Sequence, residues 1–248
     1  MIKFFRHIRR NLITQNKMSK YFKYAIGEIL LVMVGILLAL QVNNWNEKQN
    51  QETTFKQFLV EFKEELKLNI RDFKDEITRF DKQVAQKNNI LTNKRLDTIA
   101  LDTLESHITT RYIQSGYNPS LLKRLENAQI TDFGNYDSIF TGIQEFYGFE
   151  WPKFEITKNW HNSEVDREDA YWRHAQNSYE LKLSSGDDTF IQDSATRKNE
   201  LIKLIQTPLV RNMLKADYDR KKLIKLQIEY HIQSAERYLK QIESVLND

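Results

Sequence analysis

The chain has 248 residues, 37 Lys and Arg against 34 Asp and Glu, and no cysteine. The absence of thiols excludes disulfides, thiolate metal sites and cysteine nucleophiles, so stability has to come from packing. The formal charge of +3 joins unlike parts: seven basic residues and no acid precede Tyr24, whereas residues 43–248 carry 30 basic and 33 acidic side chains. A nucleic-acid-binding face is therefore not indicated, because the basic excess belongs to the N-terminal arm.

Residues 24–42 are interrupted only by Glu28 and Gln41. At about 1.5 Å per helical residue, nineteen residues reach ~28 Å, close to the ~30 Å hydrocarbon thickness of a bilayer. Leu37 stands two before Ala39, the only small residue near the exit, so the small-x-small site of a cleaved signal peptide is missing and an uncleaved anchor is expected. Lys3, Arg6, Arg9, Arg10, Lys17, Lys20 and Lys23 precede the span, and basic flanks stay cytoplasmic. The expected topology is a basic cytoplasmic arm over 1–23, a transmembrane helix over 24–42 and a periplasmic helical domain over 43–248. Tyr21 and Tyr24 would mark the inner interface and Trp45 the outer, and the arm is spaced to lie on anionic lipid as an amphipathic helix. Within the span, Gly35 and Ala39 form a small-xxx-small step, with Gly27 on nearly the same face and Glu28 a costly intramembrane carboxylate. Gly27, Glu28, Gly35 and Ala39 are the candidate helix-packing residues, for a second copy or another membrane protein.

No Gly falls between Gly35 and Gly116, and the first Pro is Pro119. Phe55, Leu59, Phe62, Leu66, Ile70, Phe73, Ile77, Phe80, Val84 and Leu91 recur mainly at three- and four-residue spacing, which predicts one long helix supercoiled against another. Asp102 with Glu105 reads as a capping box opening a short helix that ends near Gly116. A further helix is expected from Ser120. The aromatic-rich stretch 130–151 reads as helix over 139–147 with Asp137 as its cap, its rings closing the end of a bundle. Residues 152–207 show the weakest pattern, with 184–188 a turn and a helix from Thr196. Pro208 suits the first position of the last helix, whose stripe runs Ile224, Ile228, His231, Ala235, Tyr238, Ile242 and Val245. His231 in that stripe is expected to be a hydrogen-bonded core residue.

The fold expectation is all-α: one N-terminal transmembrane helix continuing into an exported antiparallel helical bundle with long first and last helices. No phosphate loop, nucleophile elbow, His-Glu-x-x-His or Glu-x-x-His pattern occurs. No catalytic residue, cofactor or resident metal is indicated, and nothing argues for an enzyme. The loose group His161, Glu164, Asp166, Glu168, Asp169 and His174 is the one candidate for collecting a divalent cation.

Three blocks, Met1-Ile2-Lys3-Phe4-Phe5-Arg6, Tyr24-Ala25-Ile26-Gly27-Glu28-Ile29 and Gly35-Ile36-Leu37-Leu38-Ala39-Leu40-Gln41-Val42-Asn43-Asn44-Trp45-Asn46-Glu47, resemble uncharacterised single-pass membrane proteins of Bacteroidetes-type bacteria, a domain family of unknown function. The step Thr207-Pro208-Leu209-Val210-Arg211 is similar as well. The resemblance implies an anchored helical protein with no assigned activity or catalytic residues, and the expected location is the inner membrane. The leading functional expectation is a partner- or ligand-binding accessory or sensory module. An envelope enzyme with a metal site in the middle region and a structural spacer are the alternatives.

Overall fold

The structure, a computed structural model, describes residues 18–131, 133–182 and 189–247. Most of the basic arm and the expected turn at 184–188 lie outside them. Every regular element among the described residues is helical: α1 (Met18–Thr92), α2 (Leu101–Ile108), α3 (Pro119–Asn127), α4 (Asp137–Glu145), α5 (Trp151–Ala170), α6 (Ser194–Gln206) and α7 (Pro208–Asn247). Wide π-helical turns at Phe146–Glu150 and Tyr171–Ala175 precede and follow α5. By its contacts the chain divides into two units, Met1–Phe55 with Ile130–Phe133, and Lys56–Gln129 with Gly134–Asp248.

In the first unit, α1 is long and apolar enough to cross a membrane. The large apolar side chains from Ile26 to Val42 are 49–66 % exposed, and Trp45 is 64 % exposed. The edge of the Phe133 ring meets Phe55 with centroids 5.0 Å apart, and the Thr131 N–H donates to Gln51 Oε1.

The second unit follows the periodicity closely. Leu59, Phe62, Leu66, Phe73 and Phe80 on α1 are at most 1 % exposed, as are Ile224, Ile228, Ala235 and Ile242 on α7. Burying each of these Leu, Ile and Phe side chains stabilises by about 1.5–3 kcal/mol. Lys74 pairs with Glu236, Asp81 with Lys225 and Lys87 with Asp217, while Arg211 donates to the Leu91 carbonyl. Contacts therefore advance along α1 as they retreat along α7. The aromatic stretch packs as core, with Phe146 meeting Tyr117, Tyr238 and Tyr147 edge-on. His231 is buried against Phe154, but its Nδ1 has no hydrogen-bond partner among the described residues.

Three expectations are corrected. Helix α2 begins after Ala100 without a side-chain cap, so Asp102 and Glu105 form no capping box, and it ends at Ile108 rather than near Gly116. Asp137 starts α4 but does not cap it. The weakly patterned stretch 152–207 opens inside the twenty-residue α5, which starts at Trp151. Its inward positions are Phe154, His161, Val165 and Glu168, and two polar residues among four hide the stripe from a hydropathy reading.

Candidate functional site

Between α2 and α3 the chain runs through residues 109–118 without regular structure. Side chains from two helices hold it. The Lys87 ammonium lies 3.5 Å from the Thr109 carbonyl, and His161 Nε2 donates to the Arg111 carbonyl over 2.9 Å. Asn162 meets both the N–H and the carbonyl of Ile113, and Glu65 accepts from the Asn118 N–H. With Nε2 donating, His161 Nδ1 is left to accept from Arg220 Nε at 3.1 Å, which fixes the tautomer.

Arg220 leads into a buried ionic cluster. Asp217 accepts from Lys221 and Arg220 and lies 3.3 Å from Lys87, while Glu168 accepts from Arg220 at 2.8 Å. Lys221, Lys87, Asp217 and Arg220 are 0, 1, 1 and 3 % exposed. Three cations face two carboxylates, while Glu76, also buried, pairs with Arg79 at 2.6 Å. Charges buried this deeply persist only when paired. Burial lowers the Lys221 ammonium to about 8 and the His161 imidazole to about 4, and it lowers Lys87 as well. Burial alone would raise Asp217, but Lys87, Lys221 and Arg220 outweigh it and hold that carboxyl below its ordinary range. Burial, with Asp217 beside it, raises Glu168. Fully enclosed, the cluster fixes α1, α5 and α7 and offers no open position for a substrate.

An open site lies next to it. A cavity of about 510 Å³ is bounded by α2, the start of the extended segment, the turn after α5 and residues 179–182, within the roughly 300–1,000 Å³ that ligand pockets span. A second cavity of about 410 Å³ shares Trp172, Arg173, Tyr179 and Leu181 with it. Gln176 shapes the wall between them, since its Nε2 donates to the carbonyls of Trp172 and Tyr179 and its Oε1 accepts from the N–H groups of Ser178 and Tyr179. The Tyr179 hydroxyl donates to Glu105 Oε1 at 2.6 Å, and Arg197 donates to the same oxygen and to the Glu180 carbonyl. Burial, then Glu105, push the Tyr179 hydroxyl well above its ordinary pKa, so it stays a donor. Glu105 Oε2 is buried with no hydrogen-bond partner among the described residues.

The span candidates are placed as follows. Nothing lies within 4 Å of a Cβ built at Gly27 or Gly35. Ala39 lines a shallow groove with Leu38, Val42 and Trp45. Glu28 is half-buried and has an interaction of its own. The loose acidic group is dispersed: His161 and Glu168 join the buried cluster, Glu164 pairs with Arg167, Asp169 with Arg173, and Asp166 accepts from Tyr112. No group of three His, Asp or Glu able to hold a metal ion is gathered among the described residues.

Residues 28–120 match DUF6090, a family of unknown function. The resemblance to an uncharacterised domain family is borne out over that stretch. The DUF6090 match takes in Lys87, Glu105 and Arg111, whereas His161, Arg197 and Asp217 lie beyond it. No curated protein and no solved structure matches the chain.

Sequence reasoning missed the ionic cluster, the cavity and Glu105 as its anchor. A signal for the cluster existed. Leu214, Asp217, Lys221, Ile224 and Ile228 continue the α7 stripe at three- and four-residue steps, placing two opposite charges at inward positions. The cavity had no such signal, because its walls come from segments up to 80 residues apart in sequence.

Proposed function

We propose that the protein is a single-pass inner-membrane protein, with residues 1–23 cytoplasmic, 24–42 spanning the bilayer and 43–248 a periplasmic helical domain that serves as a ligand- or partner-binding accessory module. The observation that carries the anchoring is the run of exposed large apolar side chains from Ile26 to Val42 on α1, interrupted only by Glu28 and Gln41 among polar residues, a surface suited to lipid rather than water. The seven basic residues before it support the orientation. The opposed order of contacts between α1 and α7 supports an antiparallel bundle, and the cavity beside Glu105 supports binding.

The cysteine-free chain suits single-cysteine labelling. Gln49→Cys and Gln241→Cys should react with a membrane-impermeant maleimide in cells whose outer membrane has been opened, and Asn11→Cys only after lysis. The reverse pattern would reject the orientation. The bare surface at Gly27 and Gly35 supports helix pairing through the face that also carries Glu28 and Ala39. Replacing Gly35 and Ala39 with Leu should then abolish co-purification of two differently tagged copies, and unchanged co-purification would remove that part of the reading.

A further inference from the structure

We infer that the outer face shared by α5 and α7 is a docking surface for a second copy of this chain. The inference deepens the helix-pairing part of the proposed function and rests on it. Paired spans hold two copies at high local concentration, which lets a surface of six apolar side chains close although it would part on dilution.

Two outward stripes carry the inference. Phe149, Ile156 and Trp160 in and just before α5, and Leu223, Leu226 and Tyr230 on α7, are 46–70 % exposed. One stripe advances by fours and threes from Phe149 through Lys153, Ile156 and Trp160 to Arg167, the other from Asp219 through Leu223, Leu226 and Tyr230 to Arg237, the spacing of a helix-packing seam. Neither belongs to the core, for which α5 uses Phe154 and Val165 and α7 uses Ile224 and Ile228. The stripes adjoin each other. Arg237 reaches Glu150, the neighbour of Phe149, over 3.4 Å, and the Lys153 ammonium lies 3.6 Å from the centre of the Phe149 ring. Phe154 meets His231 and Glu168 pairs with Arg220, so α5 and α7 run antiparallel. By that register Ile156 stands level with Tyr230, Trp160 with Leu226 and Arg167 with Asp219. Contiguous exposed apolar surface of this kind marks an interaction site.

The same register selects the occupant. A two-fold axis along the helices lays α5 of each copy against α7 of the other without a change of height, so the level pairs become contacts between copies. Ile156 then packs on Tyr230 and Trp160 on Leu226, while the Phe149 ring receives the Arg237 guanidinium. At the end of the seam Arg167 meets Asp219, which makes no ion pair with any described residue, so apolar side chains face apolar ones and the flanking charges are opposite. Every contact occurs twice. Corresponding helices stay parallel, as two copies rooted in one membrane require.

The test uses the full chain in membranes, where the absence of native cysteine leaves only the thiols introduced. Two differently tagged chains, one with Trp160→Cys and one with Leu226→Cys, are co-expressed and oxidised. A disulfide joining the two tags is expected, and none when Leu226→Cys gives way to Tyr112→Cys, an exposed position on the segment before α3. Adding Arg167→Asp to the Trp160→Cys chain should cut the cross-linked fraction about two- to fivefold, and Asp219→Arg on the other chain should restore it. Ala39→Cys on both tagged chains reports pairing of the spans separately. A span cross-link without the 160–226 disulfide overturns the inference and leaves helix pairing standing. The 160–226 disulfide without a span cross-link does the reverse, and absence of both overturns both. Equal cross-linking to Tyr112→Cys, a yield that Arg167→Asp leaves unchanged, or capture of the Trp160→Cys chain by a different protein in place of its copy likewise overturns self-docking.

Discussion

Asp217 is the residue on which the ionic cluster turns, since Lys87, Arg220 and Lys221 all converge on it. Asp217→Ala would leave buried ammonium groups without their carboxylate, and breaking a buried pair in this way costs about 3–5 kcal/mol. Urea denaturation of the solubilised protein should show that loss. Asp217→Ala combined with Lys221→Met should recover part of it, because the second change removes one of the stranded charges. The two buried histidines make a separate prediction about pH. Burial holds both His161 and His231 near 4, against an ordinary value of about 6.5. Between those values the unfolded chain binds more protons than the folded one, so stability falls as pH drops from about 6.5 to about 4, by up to about 3 kcal/mol per histidine. Glu76 and Glu168, raised by burial, act in the opposite sense and offset part of this. For His231 burial is the cause, and its Nδ1 has no hydrogen-bond partner to lose among the described residues. Replacing His231 with Phe should therefore narrow the difference between melting temperatures at pH 7 and pH 4.5; an unchanged difference would contradict the assignment.

Among the elements, α4 and α7 approach closely at Gly142, where an added Cβ would stand 2.8 Å from Cε1 of the Tyr238 ring. That ring is 4 % exposed and packs edge-on against Phe146, so it has little room to withdraw. Gly142→Ala should destabilise by about 1–3 kcal/mol, whereas Gly148→Ala, with nothing within 4 Å, should melt close to the wild type. Thermal unfolding of the two variants side by side checks this. The long elements were legible because their stripes are written in Phe, Leu and Ile: Phe55, Leu59, Phe62, Leu66, Ile70, Phe73 and Phe80 on α1, and Ile224, Ile228, Ala235 and Ile242 on α7, are all buried as their spacing predicts, while Glu76 takes the place of Ile77. Legibility stops where charge enters the core. From Phe80 the inward row of α1 continues through Lys87 and Ile90 rather than Val84 and Leu91, and α5 escaped notice because His161 and Glu168 occupy inward positions. A hydropathy reading treats such residues as surface, and only their partners on other elements reveal them as core. For Glu105 the same confusion produced a helix cap where the structure has a buried anchor for Tyr179 and Arg197.

Considered as a whole molecule, the protein continues a stretch of helix long and apolar enough to cross a membrane into a charge-threaded core, and its candidate binding cavity lies in the second unit. The DUF6090 match ends at residue 120, yet the groups that neutralise Lys87 and clasp Glu105 come from residues 168–221. The cluster draws one member from α1, two from α5 and three from α7, which ties its completion to the order in which the chain is made. A nascent chain emerges with Lys87 far ahead of Asp217 and has no carboxylate for that ammonium until the last helix has been synthesised. Chains truncated before Asp217 should accumulate poorly and be cleared by cellular proteases, while those ending just after Ile242 should persist. The buried charges would in this way act as a completeness check during biogenesis, admitting a finished chain to the folded state and leaving an interrupted one exposed to degradation.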